Sequence, residues 1–122
     1  MAVETAGIRH IHLLVSDLGR SIRFYGEAFG MTERFRDGDD LVFLNTPGTQ
    51  DSLALHLVTD DARVGQNGGY EHFGITVTDR SSLDDAIAAI QAAGGELVDK
   101  GEHAPGVPYA YVRDPDGYVI EI

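Results

Sequence analysis

His10-Ile11-His12-Leu13-Leu14-Val15-Ser16-Asp17 and His72-Phe73-Gly74-Ile75-Thr76-Val77-Thr78-Asp79 are two copies of one pattern. The leading His, the apolar positions, the Val and the closing Asp coincide at a constant offset of 62 residues. Apolar side chains at every second position mark a strand with one buried face. Each copy then runs into apolar residues at helical spacing: Leu18, Ile22, Tyr25 and Phe29 after the first, Leu83, Ala86, Ile87, Ile90 and Ala93 after the second. Gly30 and Gly94-Gly95 supply the stops, and Ser16 or Asp17 and Asp79 to Ser82 supply N-cap side chains. An eight-residue pattern repeated at fixed offset, followed by the same element order, reads as an internal duplication.

The remainder of each half reads as strands. In the first, Met31 to Arg36 and Leu41 to Asn45 flank the turn Asp37-Gly38-Asp39-Asp40, and Leu53 to Thr59 closes the half. In the second, the strands are Glu96 to Lys100, Tyr109 to Arg113 and Tyr118 to Ile122, with turn chemistry at Asp114-Pro115-Asp116-Gly117. The expected fold is α+β: two tandem βαβββ modules, 8–59 and 71–122, joined by a polar connector at 60–70 into one domain. One short module could hardly bury enough core alone. The two are expected to form a curved mixed-sheet cup with helices outside.

Composition narrows the function. The 122 residues suit a single core, and no apolar run reaches the ~18 residues that span a bilayer. Met1 to Gly7 carries Glu4 and no basic stretch ahead of an apolar block, so a cytoplasmic protein is expected. There is no cysteine, which excludes disulfides, thiolate ligands and a cysteine nucleophile. Nine basic against twenty acidic residues give a formal net charge of −11. A surface that negative repels phosphate backbones and anionic membranes, so neither nucleic acid nor membrane is expected as a partner. The partner expected is a small molecule.

Alternation sorts the strand residues by face. Ile11, Leu13 and Val15 lie under the first helix, which leaves His10, His12 and Leu14 on the concave side. Phe73, Ile75 and Val77 likewise leave His72, Gly74 and Thr76. Leucines 53, 55 and 57 point to the core, and Ala54, His56 and Val58 inward. Tyr118, Ile120 and Ile122 take the core face, and Val119 and Glu121 face the cup. His10, His56, His72 and Glu121 therefore share one surface, on the first and last strands of each half. Imidazole and carboxylate together satisfy a divalent cation such as Fe, Zn, Ni, Co or Mn. A single inward His is more often a hydrogen-bonded core group than a ligand, and Glu121 beside the C-terminus has a solvated reading. Four such groups on the paired strands shift the balance to a metal site, because an unpaired buried carboxylate is costly.

His12, two residues from His10 on the same face, reads as an orienting group, a general acid/base or a hydrogen-bonded inward His. His103, in the loop Gly101 to Val107, lies near the mouth of the cup as a substrate-binding candidate, with a plain surface His as the alternative. Tyr109 and Tyr111 share one face and wall either the substrate or the core.

Three stretches, His10 to Met31, Tyr70 to Asp79 and Arg113 to Ile122, resemble the vicinal oxygen chelate superfamily of glyoxalases, bleomycin-resistance proteins and extradiol dioxygenases. The Phe24-Tyr25 to Phe29-Gly30 segment and the Asp114-Pro115-Asp116-Gly117 turn carry the resemblance most specifically. It implies paired βαβββ modules around a metal, commonly completed in a homodimer, with ligands on His10, His72 and Glu121. The position that is Glu in many glyoxalases falls on His56. Glu121, as ligand, and His12 are the catalytic candidates. The implied chemistry is chelation of adjacent substrate oxygens by the metal, in dioxygenase or in lyase/isomerase reactions; the alternative is a bleomycin-resistance-like protein that sequesters a small, cationic molecule. Leu14 stands where bacterial glyoxalases carry Arg, and Asp60 near their glutathione-binding Asn. Both count against glutathione as cosubstrate.

Overall fold

The structure, a computed structural model, describes residue 4 and residues 8–65, 70–78 and 83–122. Its elements run β1 (His10–Val15), α1 (Leu18–Phe29), β2 (Thr32–Asp37), β3 (Leu41–Asn45), β4 (Ser52–Leu57), β5 (Phe73–Gly74), α2 (Leu83–Ala92), β6 (Glu96–Ala104), β7 (Val107–Arg113) and β8 (Val119–Glu121). One four-stranded sheet has the order β1-β4-β3-β2 and the other β5-β8-β7-β6. In each, the first and last strands of the unit run parallel and the remaining pairs antiparallel. The α+β fold with two βαβββ units is the one expected from sequence.

Local chemistry explains the boundaries. Asp17 sits in an extended conformation and its carboxylate accepts the Arg20 amide at 3.0 Å, capping α1. At the other end Gly30 adopts φ 69°. The Gly30 amide then reaches Gly26 O at 3.0 Å, an αL cap, and the Met31 amide reaches Tyr25 O at 3.2 Å. The cap expected at 79–82 for α2 lies outside the described residues; Asp84 and Asp85 occupy its first turn, where the helix dipole favours anions. Its C-terminus closes with the Gly95 amide on Ile90 O at 2.8 Å.

Two elements differ from the sequence reading. The fifth strand, expected across His72 to Val77, pairs only at Phe73–Gly74, because its sole neighbour β8 ends at Glu121. One further bond, from the Ile75 amide to Glu121 O at 2.8 Å, finishes it. The segment 101–107, expected as a loop, instead prolongs the β6–β7 hairpin. Gly101 pairs with Tyr109, Glu102 with Pro108 and Ala104 with Val107, around a turn at Pro105-Gly106.

α1 packs on β4 and α2 on β6 and β7, and the two helices pack on each other. Leu13, Val15, Leu53 and Leu55 from the first sheet, Phe24 and Tyr25 from α1, Ile90 from α2, and Val112, Tyr118 and Ile120 from the second sheet form one core. Among the described residues no strand of one sheet is hydrogen-bonded to a strand of the other. Among the described residues no helix is long and apolar enough to cross a membrane.

The Asp114–Gly117 turn locks the two units together. Asp114 is buried; its Oδ2 accepts the Tyr25 hydroxyl at 2.8 Å and its Oδ1 the amides of Asp116 and Tyr118, both at 2.9 Å. Asp116 Oδ1 accepts the Ser16 hydroxyl and, at 3.0 Å, the Arg20 guanidinium. The Tyr118 hydroxyl donates to Leu14 O at 2.7 Å. Burial raises the Asp114 carboxyl above its ordinary range, the hydrogen bonds opposing that rise only in part. Burial, followed by the charge of Asp114, pushes the Tyr25 phenol up as well.

Asp114→Ala leaves a buried phenol and two amides without their acceptor and is expected to cost about 2–4 kcal/mol in urea unfolding. Asp114→Asn keeps an acceptor and loses the ionisation. Because the folded carboxyl titrates above the unfolded one, wild-type stability contributed here is full below the unfolded value and falls as pH rises towards the folded one. The Asn variant should therefore gain on wild type as pH rises through that window. A constant difference across pH would refute the assignment.

Candidate metal-binding and substrate site

Sheet register decides which concave side chains are neighbours. In the first unit Phe35 pairs with Phe43, Phe43 with Ala54, and Ala54 with His12, making one row across four strands. In the second unit the row is Asp99, Tyr111, Glu121 and Gly74. Gly74 is the repeat counterpart of His12 at the offset of 62, so the counterpart of Glu121 in the first unit is Ala54. His56, read from sequence as that counterpart, lies opposite Leu14, one pleat further along the strand. That displacement is about 6.6 Å.

The second unit gathers most of the candidate residues. His72 Nε2 lies 3.1 Å from Glu121 Oε2, and His103 Nε2 lies 2.7 Å from Glu121 Oε1. His72 Nδ1 is held 3.1 Å from Glu71 Oε1, which turns Nε2 towards Glu121. The hydrogen bond from His103 is the main cause that holds the Glu121 carboxyl below the usual carboxylate range, with the charges of His103 and His72 adding to it. His103 stacks on Tyr109 with ring centroids 4.3 Å apart, Tyr109 meets Tyr111 edge-on at 5.3 Å, and Tyr111 meets His72 edge-on at 5.1 Å. The aromatic rings thus form a continuous wall beside the carboxylate. A cavity of about 360 Å³ opens here, lined by Glu121, His103, Tyr109, Val107 and Ile75 among others. Both tyrosines are partly exposed on this face, outside the core cluster.

In the first unit His10 is exposed at the start of β1. His12 Nε2 and His56 Nδ1 are 3.0 Å apart, so one of them carries the shared hydrogen. Asp40 Oδ2 stands 3.8 Å from His56 Nε2. Burial, then the charges of His56 and His10, lower the His12 imidazole below its usual value. A second groove, of about 370 Å³, runs along the same face between Arg9, His10, Arg34, Phe35, Phe43 and Ser52.

The donor chemistry of the second unit fits a divalent ion. A carboxylate oxygen and an imidazole nitrogen about 3 Å apart have the spacing of neighbouring ligands with bonds of ~2.1 Å. A carboxylate on the far nitrogen of His72 is the usual support for a ligating imidazole. Among the described residues, no three His, Asp or Glu side chains of one chain are placed to hold a metal ion together. His10 belongs to the other sheet, and the two units meet through α1 and α2, which pack on each other.

The sequence reading missed Glu71 and the hydrogen bond of His103. An acid directly before His72 was the signal for the first. The second depended on the hairpin extension that carries His103 alongside β8. It also missed Phe35 and Phe43, which alternation alone treats as ordinary strand residues.

A family model described as the Glyoxalase/Bleomycin resistance protein/Dioxygenase superfamily matches residues 7–122. A probable lactoylglutathione lyase of Vibrio parahaemolyticus is 31% identical over 94% of this chain and 88% of its own length. A putative lactoylglutathione lyase of Brassica oleracea is 32% identical over 93% of this chain, which spans only 42% of that protein. Among solved structures, a glyoxalase-related enzyme from Fulvimarina pelagi superposes with a TM-score of 0.76 at 30% identity, covering 97% of this chain and 87% of the other.

Proposed function

Because the chain belongs to the Glyoxalase/Bleomycin resistance protein/Dioxygenase superfamily, we propose that it is a metal-dependent enzyme acting on a small molecule with adjacent oxygens. The protein ligands would be His10, His72 and Glu121. The observation that carries this reading is the facing pair His72 Nε2 and Glu121 Oε2, each held from behind by a partner, Glu71 and His103. When bound, a divalent ion supplies Lewis acidity to the chelated oxygens and stabilises oxyanion charge.

The chain's own residues set the rest. His103 occupies Oε1 of Glu121 and leaves Oε2 directed at His72. Tyr109 walls the adjoining cavity with Tyr111 edge-on beside it, and His12, two residues from His10, shares a hydrogen with His56 as the candidate proton-transfer group. Ala54 stands where the repeat would put a fourth ligand, so three protein donors leave room for two substrate oxygens. His56, one pleat away, supports His12 rather than the metal. The chemistry is of the lyase/isomerase or the dioxygenase type; oxygen uptake on catechols separates the two.

His10 is supplied by a second copy of the chain, in a cytoplasmic homodimer that faces the His10 half of one protomer with the Glu121 half of the other. The separation of His10 from the other donors within one chain favours this arrangement. A second reading, sequestration of a cationic molecule, draws on the net charge of −11.

Elemental analysis of protein purified without added metal or chelator should find close to one equivalent per chain. His10→Ala, His72→Ala and Glu121→Ala should each lose it, and His56→Ala should retain it. Sequestration is favoured instead if a cationic ligand binds tightly and survives all four changes.

Mixing the metal-free His10→Ala and Glu121→Ala proteins tests the dimer. In a mixed dimer one site keeps all three ligands and the other keeps only His72 of its set. One metal per mixed dimer is expected after subunit exchange. No recovery over the separate variants, with exchange verified by mass spectrometry, would rule out a site shared between chains.

A further inference from the structure

We propose that the groove beside His10 takes the anionic, aromatic end of the substrate: a carboxylate gripped by Arg9 and Arg34, with an aryl body against Phe35 and Phe43. This rests on the reading of His10 as part of the reaction centre and narrows the substrate to aryl carboxylates.

The groove is unlike the rest of the surface in its charge. The chain carries twenty acidic and nine basic residues, yet no carboxylate lines this groove and two guanidiniums do. Most other described cations are already spent. Arg20 pairs with Asp116, Arg36 with Glu33, Arg63 with Asp61, Lys100 with Asp84 and Arg113 with Glu96. Among the described residues neither Arg9 nor Arg34 has an ion-pair partner. Guanidinium presents two parallel donors that match a carboxylate, and two of them in a negatively charged protein make a local exception to its repulsion of anions.

The walls are aromatic and open. Phe35 is 60% exposed, although its neighbours on β3 are well packed, and its ring lies 5.8 Å from that of Phe43 in a tilted contact. An exposed Phe on a strand gives up burial that a polar residue would not miss. A flat aryl ring entering here would recover it by stacking and edge contacts.

The backbone is shaped to bring charge and ring together. In a regular strand Arg34 and Phe35 would point to opposite faces. The β2–β3 register slips between Glu33 and Phe35, placing a bulge at Arg34. Both consecutive side chains then line one groove. Bulges re-aim side chains in this way near binding sites. The row Phe35, Phe43, Ala54 and His12 continues from the aryl wall across the sheet, and His10 lines the groove itself beside Ser52.

Isothermal titration of the full chain with benzoate, benzamide and benzylammonium tests this. Benzoate should saturate one site per chain and bind at least tenfold more tightly than the neutral and cationic analogues. Arg34→Gln should weaken benzoate at least tenfold and Arg9→Gln/Arg34→Gln should abolish its preference over benzamide, while Phe43→Ala should weaken all aryl probes. Glu121→Ala should leave benzoate binding within about twofold, which separates this groove from the metal reading. The proposal is overturned if benzoate fails to saturate, if benzylammonium binds as well or better, if the arginine variants bind normally, or if binding vanishes in Glu121→Ala. Loss of metal from His72→Ala and Glu121→Ala with benzoate binding intact would uphold both readings; normal metal content in those two variants would sink the metal reading alone.

Discussion

The structure depends on a short carboxylate-rich turn docking into the start of the other unit. Asp114 caps its own turn through two amides and at the same time receives the Tyr25 hydroxyl from α1. Asp116 receives Ser16 and Arg20 at the β1–α1 junction. Each acid satisfies local backbone and distant side chain together, so the turn conformation and the docking of the two units are one event. Burial of Asp114 is costly, and the Tyr25 hydroxyl together with the two amides offsets part of that cost. The turn is accordingly intolerant of change, and it fixes β8, which ends in Glu121, relative to β1, which begins with His10.

That fixation explains how the site halves are arranged. The units meet through α1, α2 and the clasp, and their concave faces carry the chemistry. A helix-to-helix contact inside the chain leaves each sheet's polar face available to meet something else. Glu121, His72 and His103 already form a hydrogen-bonded triplet on one face, while His10, His12 and His56 stand on the other. The covalent chain carries both sets of donors without bringing them together.

Face was legible in the sequence and row was not. Period-two alternation put Leu13, Val15, Leu53, Leu55 and Ile120 in the core and His10, Ala54, His56 and Glu121 on the concave side, and burial agrees at every one of those core positions. Alternation is blind to register, however: sliding a strand by two residues preserves every face. The register of β4 is fixed by the 46–51 connection, where Asn45 and Asp51 bridge the loop with hydrogen bonds that no periodicity reveals. That is why His56 looked equivalent to Glu121, whereas Ala54 is. His103 was misplaced for a related reason. Gly101 and Pro108 read as strand breakers, but at the edge of a hairpin both are accommodated, and the ladder runs past them.

The two rows that register defines show how the duplication has diverged. Phe35, Phe43, Ala54 and His12 make one half apolar and open, and Asp99, Tyr111, Glu121 and Gly74 make the other polar and anionic. Where one half carries a carboxylate the other carries a methyl group, and where one has no side chain the other has an imidazole. A symmetric site would hold four similar donors and leave a substrate little choice of orientation. With Ala54 opposed to Glu121, this half offers no donor at that place in the row, which runs on to Phe43 and Phe35 at the groove. Loss of symmetry in that single row therefore gives the cup a direction, with donor groups at one end and a shaped apolar surface at the other.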